Sequence, residues 1–245
     1  GTGMVMGTAS TMACLAETLG FMLPGSATAP AVSSDRWRFA EATGRHAAQM
    51  AKTGGPKPSE LLTKSALKNA SVVLQATSGS TNAIVHLAAI AGRAGITYDL
   101  QELDRVGRDV PVLLDLKPAG NNFMEDFHTG GSLPSLWRRL KDHLDLNAKT
   151  VNGETIGEII ARWPAYVDDK IIRPLDNPLV KSEAIAILTG NLAPGGAAIK
   201  LASATPALFQ HEGPALVFDS LEDLEKRIDD PDLLKLISLR LSSAG

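Results

Sequence analysis

A chain of 245 residues is long enough to bury a substantial core, either as one large domain or as two smaller ones. Its 44% hydrophobic and 21% charged content is that of an ordinary globular protein, and a formal net charge of −3 gives no electrostatic reason to expect nucleic acid or an anionic membrane as partner. One cysteine, Cys14, excludes an internal disulfide and suits a reducing cytosol, so a cytoplasmic location is expected.

The chain starts GTGMVMGTASTM, glycine-rich, without an initiator Met and without the charged start of a signal peptide. It stops as abruptly at LRLSSAG, so the expectation is an internal piece of a longer polypeptide. Thr8 or Ser10 can cap a first helix whose Met12, Leu15, Ala16 and Leu19 keep helical spacing, closed by Gly20 and Pro24. Residues 25–30 (GSATAP) read as a loop. Ser33 or Ser34 opens a second helix carrying Trp37, Ala40, Ala47 and Met50, ended by Gly54-Gly55-Pro56, and a third helical stretch covers about 59–69 behind Pro58.

The period then changes. Residues 71–76 (SVVLQA) form a short apolar, β-branched run that predicts a buried strand, followed by a polar turn at 77–81 (TSGST) and a helix over 82–94. A helix over 100–106, a second buried strand at 110–116 (VPVLLDL), a polar loop through Pro118-Ala119-Gly120-Asn121-Asn122 and a helix over about 133–143 follow. Strand, turn, helix, strand, loop, helix is the order of a parallel sheet with flanking helices, an α/β architecture in which loops after strands gather at one edge. The turn at 77–81 and the loop at 118–131 are therefore expected side by side. Pro164, Pro174 and Pro178 with Asp168-Asp169 mark a linker. Beyond it, short β-rich pieces at 184–188, 197–201 and 214–218, and a charged helix over 221–228, predict the start of a β domain. The expected division is 1–163, a linker over 164–180, and 181–245.

Two features could carry chemistry. In Thr77-Ser78-Gly79-Ser80-Thr81-Asn82 a glycine permits a tight turn, and the hydroxyls of Ser78, Ser80 and Thr81 join the free N–H groups of the next helix, which suits a carboxylate or phosphate. The plainer reading is that Ser80 or Thr81 is only a helix cap. In Glu125-Asp126-Phe127-His128-Thr129-Gly130-Gly131, two carboxylates beside His128 could do acid–base work or hold a metal, or could be solvated and capping. His86 reads as a packed helix residue, Cys14 as core rather than nucleophile, and His46, His143 and His211 have no partner at ligand spacing.

Four stretches together resemble one family. Met6-Gly7-Thr8-Ala9-Ser10-Thr11-Met12 with Leu23-Pro24-Gly25, Gly79-Ser80-Thr81-Asn82 with His86-Leu87, Asp126-Phe127-His128 with Gly130-Gly131 and Pro134, and Gly190-Asn191-Leu192-Ala193-Pro194 with Lys200 are similar, in order, to segments of the dihydroxy-acid and phosphogluconate dehydratases, including their sugar-acid members. The resemblance implies an α/β N-terminal domain, a β-barrel-like C-terminal domain, a homo-oligomer, and a hydro-lyase that converts a 2,3-dihydroxy carboxylic acid to a 2-keto acid. It also implies an iron–sulfur cluster and Mg²⁺ in the parent enzymes. The family's cluster cysteine falls at Gly3 here, and its other metal ligands and serine base fall outside these residues, so no catalytic or metal-binding residue is assigned and this chain alone is expected to bind no cluster. Ser78, Ser80, Thr81, Asn82 and His128 are the expected substrate-pocket residues. The pattern at residues 6–12 leans towards a sugar acid over the branched-chain dihydroxy acids. Gly3 keeps open a cluster-free relative that serves in binding or assembly. The stretch at 233–245 fits the family poorly.

Overall fold

The computed structural model describes residues 3–213 and 216–231. They fall into two compact units, within residues 1–204 and 205–245. The helices of the first unit are α1 (Thr8–Thr18), α2 (Ser34–Thr53), α3 (Pro58–Leu61), α4 (Lys64–Ala76), α5 (Asn82–Arg93), α6 (Leu100–Asp109), α7 (Met124–Thr129), α8 (Ser132–Arg139) and α9 (Ile156–Arg162). Two strands follow, β1 (Ile185–Leu188) and β2 (Ala197–Lys200). Among the described residues no helix is long and apolar enough to cross a membrane.

Local chemistry accounts for the helix starts. The Ser33 hydroxyl accepts from the Arg36 amide to open α2, Thr63 accepts from Ala66 to open α4, and Thr155 and Glu158 cap α9 reciprocally. Gly54 closes α2 in the left-handed conformation that glycine adopts without strain. Gly20 ends α1 for a second reason: a Cβ there would lie 2.5 Å from the Lys149 carbonyl oxygen.

The first expected strand is a helix. Residues 71–76 complete α4, in which ten side chains, Ala66, Leu67 and everything from Asn69 to Ala76, are buried. A helix enclosed on all sides shows no polar face, so Val72-Val73-Leu74 reads like a buried strand. The second expected strand is extended and buried, but it pairs only through single bridges, antiparallel from Val112 to Val180 and from Leu114 to Ile172 and parallel from Leu116 to Asn122. The one sheet among the described residues is antiparallel, β1 on β2, with Ile185 opposite Lys200 and Leu188 opposite Ala197. The expected parallel sheet is thus replaced by packed helices around an extended segment.

β1 is fastened to the helices by buried polar side chains. The Gln75 carboxamide donates to the Ile185 carbonyl and accepts from the Ile185 amide, both at 2.9 Å, imitating a neighbouring strand. Asp104 accepts from the Ile187 amide at 2.9 Å. The core joins Leu15 and Leu19 of α1, Leu74 of α4, Leu87 of α5, Phe127 of α7, and Leu133 and Trp137 of α8. In the second unit, α10 (Leu221–Arg227) is capped by Ser220, and Arg227 pairs with Asp223 and lies over the Phe218 ring. Leu216, Val217 and Phe218 form no strand, while the remainder of that expected strand (Pro214, Ala215) and the poorly matching stretch at 233–245 lie outside the described residues.

Candidate functional site

The turn after α4 is built against the start of α1. Ser78 takes a positive φ of 46°, which turns the chain, and Gly79 follows it closely against α1: a Cβ on Gly79 would meet Leu74 Cδ1 and Thr11 Cγ2 at 2.7 Å. A side chain at this position would force the Leu74 and Thr11 side chains to shift. The Ser80 amide donates to Thr11 Oγ1 at 3.0 Å, the Ser80 and Thr8 hydroxyls lie 3.0 Å apart, and Asn82 Nδ2 donates to Thr8 Oγ1 at 2.9 Å. Ser80 Oγ also accepts from the Asn82 amide at 3.3 Å. Thr81 occupies the cap position of α5, yet its side chain makes no capping bond. Thr81 is itself partly exposed. Ser78 is buried, and its hydroxyl has no hydrogen-bond partner.

His128 sits near the end of α7 and is held from both ring nitrogens. Nδ1 lies 2.9 Å from Thr28 Oγ1 and Nε2 lies 3.1 Å from Asp35 Oδ2, while Thr28 Oγ1 is 2.7 Å from Ser132 Oγ. The His128 hydrogen bond holds the Asp35 carboxyl below the usual carboxylate range. The neighbouring carboxylates do something else: Asp126 accepts from the Phe123 amide at 2.8 Å to start α7, and Glu125 is exposed. Of the two readings open for these carboxylates, their geometry matches the solvated and capping one. The carboxylate that serves His128 is Asp35, 93 positions away in α2, and no local spacing could reveal it.

Thr28 belongs to a buried loop whose backbone is satisfied by two charged side chains. Glu17 of α1 accepts from the Gly25 and Ala27 amides, each at 2.7 Å, and Arg36 of α2 donates to the Ser26 and Ala29 carbonyls. Burial pushes the Glu17 carboxyl up to about 8, against the pull of both amides.

The two candidate loops do not hydrogen-bond to each other. Residues 3–11 run between them and touch both. Met4 accepts from the Met124 amide at 2.8 Å and Met6 donates to the Lys117 carbonyl at 2.9 Å, while Thr8 and Thr11 hold Ser80 and Asn82. A cavity of about 380 Å³ opens beside this segment, lined by Gly3, Met4, Thr28, Pro30, Phe123 and Glu125 among others.

The described residues do not fit an iron–sulfur cluster. They contain no group of three or more His, Cys, Asp or Glu side chains able to hold a metal. The lone thiol, Cys14, is fully buried in the core, where burial pushes it far above the ordinary thiol range and away from the thiolate that a metal needs.

Residues 1–159 match the family model described as dihydroxy-acid/6-phosphogluconate dehydratase N-terminal, and residues 170–236 match the corresponding C-terminal model. The chain is 43% identical over 236 residues to a 6-deoxy-6-sulfo-D-gluconate dehydratase of Pseudomonas putida, covering 95% of this chain and 40% of that protein. It is 45% identical over 224 residues to an L-arabonate dehydratase of Azospirillum brasilense, covering 90% and 38% respectively. It is 41% identical over 221 residues to a dihydroxy-acid dehydratase of Methanospirillum hungatei JF-1, covering 90% and 40%. The chain thus spans about 40% of the length of the curated relatives it matches. With family models matched across both its parts, this chain belongs to the dihydroxy-acid/6-phosphogluconate dehydratase family.

Proposed function

We propose that this chain is part of a hydro-lyase that removes water from a 2,3-dihydroxy carboxylic acid, a sugar acid, to leave a 2-keto acid. The observation that carries the reading is the segment at 3–11, which ties the turn at Ser80 to the loop before His128, next to a cavity of about 380 Å³. The relatives named for sugar acids support the substrate class, and those named dihydroxy-acid dehydratase keep the branched-chain enzyme as the alternative. In this reading Thr81 supplies a hydroxyl to the anionic substrate at the N-terminus of α5. Ser80 and Asn82, held by Thr8, shape the pocket wall. Ser78 turns the backbone, and His128 positions the 25–30 loop.

Dehydration needs a base at C2 and assistance to the departing C3 hydroxyl. No residue of this chain is assigned to either task, and the contribution proposed for it is to bind and orient substrate. The reading divides the protein at a linker over 164–180, supported by family matches that end at 159 and resume at 170. It takes β1 and β2 as the opening of a β-barrel-like domain, and the whole protein as a homo-oligomer in the cytoplasm. Gly3, where the resemblance implies a cluster cysteine, favours one second reading, a cluster-free relative that binds substrate or partner without turnover.

The test is Thr81→Val in the complete gene product, titrated with L-arabinonate. An affinity loss of roughly ten-fold is expected, the value of one hydrogen bond to a charged group. Unchanged affinity removes Thr81 from the pocket, and a complete gene product without further cysteines removes the hydro-lyase reading in favour of the second.

A further inference from the structure

A second cavity lies away from the segment at 3–11, in the groove where α2 rests on residues 21–26, with a volume of about 320 Å³. Phe39, Ala47 and Met50 of α2 face Phe21, Met22 and Val151 across it. The volume is at the small end of the range of ligand sites, about 300–1,000 Å³, and the mostly apolar lining with a few polar groups is characteristic of them.

Two features mark the groove as more than a packing gap. Ser26 lines it, is only 4% exposed, and its hydroxyl has no hydrogen-bond partner. A buried hydroxyl without a partner is costly, and most such groups in folded proteins are satisfied. The charged and titratable side chains of the lining are Arg36 and His46, with no carboxylate among them. Arg36 donates to the Ser26 and Ala29 carbonyls and His46 Nε2 lies 2.7 Å from the Val151 carbonyl, so both basic groups are held at the groove by the backbone of its opposite wall. α2 itself buries no residue, which leaves the groove open along one side.

We infer that this groove binds a small organic carboxylate with an aromatic or branched aliphatic body, the Ser26 hydroxyl donating to its carboxylate. The apolar walls take the body, and the guanidinium of Arg36 sets the preference for negative charge at the head. A single buried hydroxyl matches one head group rather than the row of backbone groups that a polypeptide strand presents. The site is separate from the pocket proposed at Thr81 and stands without it.

Phenylacetate, phenylacetamide and phenethylamine are the probes, titrated onto the protein by ligand-observed NMR and calorimetry. Saturable binding of phenylacetate is expected, with the amine at least roughly ten-fold weaker and Ser26→Ala weakening phenylacetate by a similar factor, as loss of one hydrogen bond to a charged group requires. Ala47→Trp, at a solvent-accessible position of the groove lining, should fill the groove and abolish binding while circular dichroism stays that of the parent. Should that variant fail to fold, Ser26→Ala decides alone. Phenylacetate binding that ignores Ser26→Ala, a preference for the amine, or no binding up to the solubility limit each overturns the site. A dimer that dissociates on Ala47→Trp would make a second copy the occupant and overturn it equally.

Discussion

α2 and α4 are both well-capped helices of one unit, and they are opposites in every other respect. Ten of the thirteen residues of α4 are buried, whereas none of the twenty in α2 is. α4 is held by enclosure in the core, with buried polar bonds from Asn69, Ser71 and Gln75. α2 is held by polar ties at a few points: Asp35 to His128, Arg36 to two carbonyls of the 25–30 loop, and His46 to Val151. Burial gives α4 its stability and hides its period from a reader of the sequence. Exposure leaves the period of α2 legible and the helix itself dependent on what lies beneath it. The functional candidates divide along the same line, since the turn at Ser80 is an extension of α4 and the His128 network is an anchor of α2.

The largest effect that should separate the two helices is Leu74→Ala in α4. Its side chain is fully buried, and a cavity there should cost about 3 kcal/mol in urea unfolding. A loss under about 1 kcal/mol would mean that the core around α4 collapses readily and that the contrast with α2 is overstated.

Next comes Glu17→Gln, which strikes the loop that α2 grips from the other side. Gln has one acceptor oxygen for two amides and turns its own N–H₂ towards a donor, at an expected cost of about 2 kcal/mol. A pH signature accompanies it. The folded-state pKa of Glu17 is raised from its usual 4.5 to about 8, so the folded chain holds a proton that the unfolded chain has released. Stability should therefore be highest below about pH 4.5 as far as this group is concerned, and fall as pH rises to about 8. Carboxylates held low, such as Asp104 by the Ile187 amide, are already ionised in that window and add no slope. Unfolding midpoints from pH 5 to pH 8 should slope downward in the parent more than in Glu17→Gln. Parallel curves would show that Glu17 is ionised throughout.

The smallest effect belongs to Trp37→Ala on α2, where the ring is 75% exposed. Global stability should move by no more than about 0.5 kcal/mol. A larger loss would reveal a partner covering that face in solution.

Much of this was legible in the sequence, and the boundary of legibility follows the physics. Caps and stops are local, so Ser33, Gly54 and the start of α5 at Asn82 could be placed from a few neighbouring residues. So could the family, because short ordered motifs such as Gly79-Ser80-Thr81-Asn82 survive as strings. The helix over 71–76 was not legible, because a helix buried on every side carries no periodic contrast and its β-branched residues point to a strand.

What tertiary structure alone decided is which distant groups meet. Asp35 reaches His128 across 93 positions and Thr8 reaches Ser80 across 72, while Gln75 stands in for a strand 110 positions on. Sequence by itself determined composition, caps, motif strings and family, all properties of near neighbours along the chain. Partners, burial and the bridging of the extended segment depend on which surfaces the core brings together, and a hydrogen bond between remote residues leaves no mark on either local pattern.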